Sequence, residues 1–167
     1  MLYRGIDVLH AHEDYINTAK LSEAVKQGMV CVANGGDGET PPQLTVGKAS
    51  DVTFMSNIVG IAVYDDTSED YDITVAKITQ DIPSGSYVKF IQLHTGLEIE
   101  IREELLSSDV TWSNVSVGDL LYVNAGYLTN VPKTEPDETY GLMPATSKPV
   151  AVYMGSTRTN WHRIKFL

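Results

Sequence analysis

The pattern of apolar positions changes character near Gly28. Residues 1–17 mix apolar and polar side chains without a sustained period, which predicts an extended arm ahead of the first regular element. In TAKLSEAVKQG, residues 18–28, Leu21, Ala24 and Val25 fall at i, i+3 and i+4 before a glycine. With Thr18 or Ser22 as a cap, that spacing predicts a helix of at most two turns. Beyond Gly28, short runs rich in Val, Ile and Tyr alternate with Gly, Pro, Asp and Ser clusters, as strands do. Strands are expected at Met29–Ala33, Ile58–Tyr64, Ile73–Thr79, Tyr87–Leu93, Glu98–Arg102, Leu120–Asn124, Val150–Met154 and Arg163–Leu167. EIEIR alternates strictly, so Ile99 and Ile101 share one face and the charges the other; HRIKF does the same with Ile164 and Phe166. The expectation is an all-β fold, a small barrel or sandwich, with residues 18–167 as one β-rich domain behind the arm.

The strands carry a repeat. GMVCVANGG opens at Gly28 and GDLLYVNAG at Gly118, an offset of 90, and AVY recurs at Ala62–Tyr64 and Ala151–Tyr153, an offset of 89. Agreement in order and spacing predicts a duplicated strand–loop–strand–strand unit. Each copy is followed by a connection of about twenty residues, Asn34–Phe54 and Thr129–Pro149, a length more often found in interaction surfaces than in simple turns.

Charge narrows the partners. The chain of 167 residues has a net charge of −10, and residues 28–138 hold 18 acids against 5 bases. Residues 139–167 hold Lys148, Arg158, Arg163 and Lys165 and no acid. So acidic a body repels polyphosphates, which argues against nucleic acid. The basic segment reads either as a solvated strand face or as a surface for an acidic neighbour, such as a second copy. No apolar run approaches the ~20 residues of a membrane helix, and MLYRGIDVLHAHEDY has no apolar core of a secretory signal, so no membrane partner is expected. Cys31, the single cysteine, lies in an apolar run and reads as a small buried hydrophobe.

The search for reactive chemistry yields little. His10 and His12, next to Glu13 and Asp14, share a face if extended, but they fall in the arm. Asp65–Asp72 packs five acids without the glycine and glutamate of a calcium-binding helix–loop–helix. GGDGET lacks the lysine and hydroxyl of a phosphate loop and runs into two prolines. No GxSxG elbow occurs, and His94 and His162 stand apart from any nucleophile motif. Trp112 and Trp161 read as core or interface aromatics. The expectation is a protein without catalytic residues, metal or cofactor.

An arm, an LSEAVKQGMVCVANGG entry, VGIAVYDD at Val59–Asp66 and a GDLLYVNAGYLT hairpin together resemble the capsid decoration proteins of tailed bacteriophages, also called cement or head-stabilising proteins. The resemblance implies a non-enzymatic structural protein on the outer capsid surface of a virion, made in the host cytoplasm. It also implies binding across major capsid protein subunits, as a homo-oligomer such as a dimer or trimer. In that reading Leu2, Tyr3, Arg4, Ile6, Val8 and Leu9 of the arm add a strand to a capsid neighbour. Trp161, Arg158 and Arg163 would then contact the capsid or another copy. The alternative of a different class is a host-recognition or carbohydrate-binding β module of a virion, using the long connections and Trp112 or Trp161.

Overall fold

The computed structural model describes residues 2–3, 5–10, 16–36, 38, 44–49, 58–63, 78–132, 134–135, 145–146 and 148–167. Its strands, in chain order, are β1 (Leu2–Tyr3), β2 (Ile6–His10), β3 (Ile16–Leu21), β4 (Val25–Lys26), β5 (Val30–Gly36), β6 (Leu44–Lys48), β7 (Ile58–Val63) and β8 (Asp81–Ile82). They continue with β9 (Tyr87–Gln92), β10 (Glu98–Arg102), β11 (Leu120–Asn124), β12 (Tyr127–Thr129), β13 (Thr134–Glu135), β14 (Ala145–Thr146), β15 (Ala151–Arg158) and β16 (Trp161–Phe166). Two short 3-10 turns, Glu103–Leu105 and Trp112–Asn114, interrupt the run between β10 and β11. The all-β expectation holds.

β3, β6, β5, β7 and β9 close into a barrel, and a seven-stranded sheet runs β1-β2-β10-β16-β15-β11-β12. Two two-stranded ribbons, β4-β8 and β13-β14, complete the described pairings. Alternation sorts the side chains: Ala19, Leu21, Cys31, Val46, Ala62, Val88 and Phe90 fill the barrel lumen. The other face of the same strands, with Val30, Ile61, Val63 and Ile91, packs with Ile99, Ile101, Leu121 and Ile164 of the sheet. Ile61, Ala62 and Val63 are therefore all buried in succession, because β7 lies between lumen and sheet.

The repeat is realised in the topology. The barrel strands, numbered by order within their half, lie in the order 3-2-4-5-1, and β12-β11-β15-β16-β10 has that same order with the same antiparallel pairings. Registers agree as well. Val30 faces Ile61 and Cys31 faces Gly60, while Leu120 faces Val152 and Leu121 faces Ala151. Gly28 N–H donates to Ala62 O (2.8 Å) and Ala62 N–H to Met29 O (2.9 Å). Gly118 N–H likewise donates to Tyr153 O (2.8 Å) and Tyr153 N–H to Asp119 O (2.9 Å). This makes Ala62 the counterpart of Tyr153, so the two AVY tripeptides sit two residues out of register, a slip that keeps every side chain on its face.

Four expectations need correction. Residues 18–28 form no helix: Ala19 and Leu21 point into the lumen while Thr18 is exposed, and β3 pairs with β9. An eleven-residue window fitted both periods, and long-range pairing decided for two. The described part of the arm is β1 and β2, with β2 paired to β10 and Ile6 and Val8 in the core, so it is built into the sheet. The connection Asn34–Phe54 contains the barrel strand β6, and Thr129–Pro149 contains β13 and β14. Of the strand expected at Ile73–Thr79, Ile78 and Thr79 form a helical turn and the rest falls outside the described residues.

Candidate functional site: the outer face of the open sheet

The same alternation that buries Ile99, Ile101, Ile164 and Phe166 turns Glu98, Glu100, Arg102, Trp161, Arg163 and Lys165 outward on β10 and β16. Pairing then lines these residues up in rows. One row crosses four strands as Glu98, Lys165, Val152 and Leu120; the next carries Asp7, Glu100 and Arg163; a third carries Arg102, Trp161 and Arg158. Glu98 takes Lys165 at 3.4 Å and Arg163 at 3.6 Å. The Arg158 guanidinium lies 3.9 Å from the Trp161 ring centroid, 3.3 Å from Glu100 Oε2 and 3.9 Å from Asp7 Oδ2. Arg102 holds Glu104 through two hydrogen bonds, 2.6 and 3.0 Å, and that contact keeps the Glu104 carboxyl below its ordinary range. Acids and bases on this face balance one another within a chain of net charge −10.

Beside the ion pairs the face turns aliphatic. Val117, Leu120 and Met154 are 70%, 43% and 38% exposed, with Val152 half-buried between them. The duplication shows what this row is in the other half. Leu120, Val152 and Lys165 correspond by register to Val30, Ile61 and Ile91 of the barrel. Those three are fully buried because the open sheet covers them. The row of the open sheet has no such cover among the described residues of this chain.

Behind the face lies a polar cluster. His162 is buried between Tyr153, whose hydroxyl is 2.9 Å from Nδ1, and Glu103, whose carboxylate is 3.0 Å from Nε2. A carboxylate only accepts, so Nε2 donates to Glu103, while Nδ1 and the tyrosine hydroxyl share the second hydrogen bond. Burial, and secondarily the Glu103 charge, push the Tyr153 phenol above its usual range. The cluster keeps its phenol protonated and leaves no nucleophile; its chemistry is that of a satisfied core network, with Trp112 tilted against both rings.

The structure thus brings Trp161, Arg158 and Arg163 together on one surface. It takes Ile6 and Val8 out of contention, since both are core residues. Leu9 is half-buried; Leu2 and Tyr3 pair through their backbones in β1; Arg4 lies outside the described residues. Trp112 is buried and offers no stacking platform. His12, Glu13, Asp14 and the acidic run Asp65–Asp72 also lie outside the described residues, and no group of three or more metal-ligating side chains forms among the described ones. Leu120, Val152 and Met154 escaped sequence reasoning because a half-exposed aliphatic in a strand looks like any core residue. The register match to Val30 and Ile61 was the one usable signal.

No family model matches the chain, and no curated protein does. Among solved structures, the chain is similar to the head fiber gp8.5 N base of bacteriophage phi29, at 10% identity over 91% of this chain and 92% of that one, with a TM-score of 0.48. Likeness at that level leaves function to be argued from the chain itself. No helix among the described residues is long and apolar enough to cross a membrane.

Proposed function

We propose that this protein is a structural component of a phage virion that binds the outer surface of the assembled capsid and bridges major capsid protein subunits. The outer face of the open sheet is the docking surface. The observation that carries this reading is the aliphatic row Leu120–Val152, exposed at Leu120 and half-buried at Val152 where its duplicate Val30–Ile61 is fully covered. A row of this kind beside a self-neutralised charge ladder suits a partner that removes both from water. The acidic remainder of the chain keeps many copies soluble and away from a packaged genome. Binding only the assembled lattice would stabilise it by mass action. The sequence resemblance to decoration proteins supports the same reading, with the sheet face taking the role first expected of the arm.

Co-sedimentation with expanded shells and with unassembled major capsid protein tests it. The protein should pellet with shells and ignore free subunits, and Leu120→Asp and Met154→Asp should each weaken shell binding at least tenfold without lowering Tm. Saturation of shells by both variants at wild-type concentration would sink the reading.

A further inference from the structure

The two halves meet at a second feature. A cleft of about 410 Å³ opens between them, lined by Lys26 and Thr79 of the first half and by Glu104, Ser108, Asp109 and Tyr127, among others, of the second. A neighbouring cleft of about 330 Å³ shares Glu104, Leu106, Ser107 and Ser108 and continues past Asn160. The two adjoin along Glu104 and Leu106–Ser108, forming one groove. Single clefts of such volume are in the range that small ligands occupy, and seams between packed units are where they concentrate.

The lining alternates donors and acceptors: an ammonium, serine and threonine hydroxyls, carboxylates and the Asn124 amide, beside the half-buried Tyr127 ring. Each ligand hydroxyl must both donate and accept, and a sugar ring also presents a C–H face that packs on an aromatic ring. Lys26 lies 4.0 Å from Asp81, and Glu104 is held by Arg102, so two of the three charges that line the cleft have ion-pair partners within the chain. A neutral polyhydroxylated ligand fits this better than an ion. The wall is also pre-formed: Trp112 Nε1–H donates to Ser107 O (3.1 Å), and Ser107 N–H donates to Leu128 O (3.1 Å).

The duplication supplies an independent observation. Asn34-Gly35-Gly36 of the first copy corresponds to Asn124-Ala125-Gly126 of the second. Gly35 has φ +95°, and a side chain there would meet nothing. Ala125 keeps a positive φ, +48°, in a two-residue hairpin loop where Asn or Gly is preferred. The second copy therefore carries a strained alanine where its duplicate has glycine, and that residue lines the cleft.

We propose that this groove binds a neutral oligosaccharide, with Asp109, Ser108 and Asn124 engaging hydroxyls and Tyr127 and the Ala125 methyl contacting a ring face. Saturation-transfer NMR and calorimetry of the full chain with maltotriose, cellotriose and chitotriose test it. At least one should bind, Asp109→Ala should weaken that binding about tenfold, the value of one lost hydrogen bond to a charged group, and Ser108→Tyr should block it by filling the groove. Ala125→Gly should raise Tm while weakening the sugar about threefold, a split that a merely structural alanine would not give. No binding by any of the three sugars, or binding that Asp109→Ala and Ser108→Tyr leave unchanged, overturns the proposal.

Discussion

Gly60 is the second residue of VGIAV, and its replacement by alanine tests the barrel. Its φ lies outside the left-handed region, so an L side chain faces no backbone penalty and only space opposes it. An added Cβ would stand inside contact distance of the Ile91 carbonyl oxygen, 2.7 Å from Phe90 Cδ2 and 3.0 Å from the Ile91 carbonyl carbon. Ordinary contact begins at 3.4 Å, so β7 and β9 must separate locally where Gly60 faces Gln92 and Ile61 faces Ile91. Overpacking of this kind costs about 1–3 kcal/mol, and two disturbed ladder hydrogen bonds add about 1 kcal/mol each. Reduced freedom of the unfolded chain returns about 0.4–1 kcal/mol. The net loss is roughly 2–4.6 kcal/mol, a fall in Tm of about 4–18 °C for a chain of this size. Gly47→Ala is the matched control. Its Cβ would meet Asn34 Nδ2 at 2.6 Å, Glu23 Oε1 at 2.7 Å and Ser22 Oγ at 3.0 Å, all ends of side chains that can swing away. Urea titration followed by tryptophan fluorescence should rank Gly60→Ala well below Gly47→Ala. Equal stability of the two variants, or a Gly60→Ala protein within about 1 kcal/mol of wild type, would refute the reasoning.

Removing residues 2–9 should cost stability as well as any contact, because Ile6 and Val8 leave the core at about 1.5–3 kcal/mol each; a truncated protein with unchanged urea midpoint would contradict the placement of β2. Burial pushes the Cys31 thiol up to about 12 from 9.0, so the native protein should resist a disulfide reagent at pH 8 and react at the rate of global unfolding; rapid native labelling would be the contrary result. Tyr153 is raised above 10.0, so its contribution is present below pH 10.0 and is lost as pH rises through the higher native value. Tyr153→Phe should therefore flatten the fall of Tm above pH 10, and an unchanged alkaline limb would count against the buried phenol.

How legible the fold was depended on where the deciding contacts lay. EIEIR announces itself by strict alternation, which reflects a sheet with one solvated face, and LLYVN by a short apolar run between turn residues; β10 and β11 have the bounds expected. β6 was hidden in a presumed loop because LTVGK is short, contains glycine and gains its burial only by pairing with β3 and β5. β3 was hidden by a helical period that coincides with alternation at Leu21. The site was less legible still. Arg158, Arg163 and Trp161 stood out by charge and aromaticity, but Glu98, Glu100 and Asp7 join them only through pairings of β10 with β16 and β2. The Glu103–His162 contact spans 59 residues of sequence and follows no motif.

The arm and the exposed face have one cause. In the barrel, the first strand of the unit, β3, closes the cylinder by pairing in parallel with β6. The matching closure in the second half would join β10 to β12. That edge of β10 is instead occupied by β2, with β1 beyond it. The chain adds its own amino-terminal strands where closure would otherwise occur, as a peptide adds a strand to a partner's sheet edge. An occupied edge cannot curl to meet β12, so the second unit stays open and presents one broad outer face. Closure would have curved the row Glu98, Lys165, Val152, Leu120 around a cylinder; the open sheet keeps it aligned across four strands. The amino-terminal strands thus hold open the surface on which Leu120, Val152, Trp161 and Arg158 lie together, and β2 adds Asp7 to it.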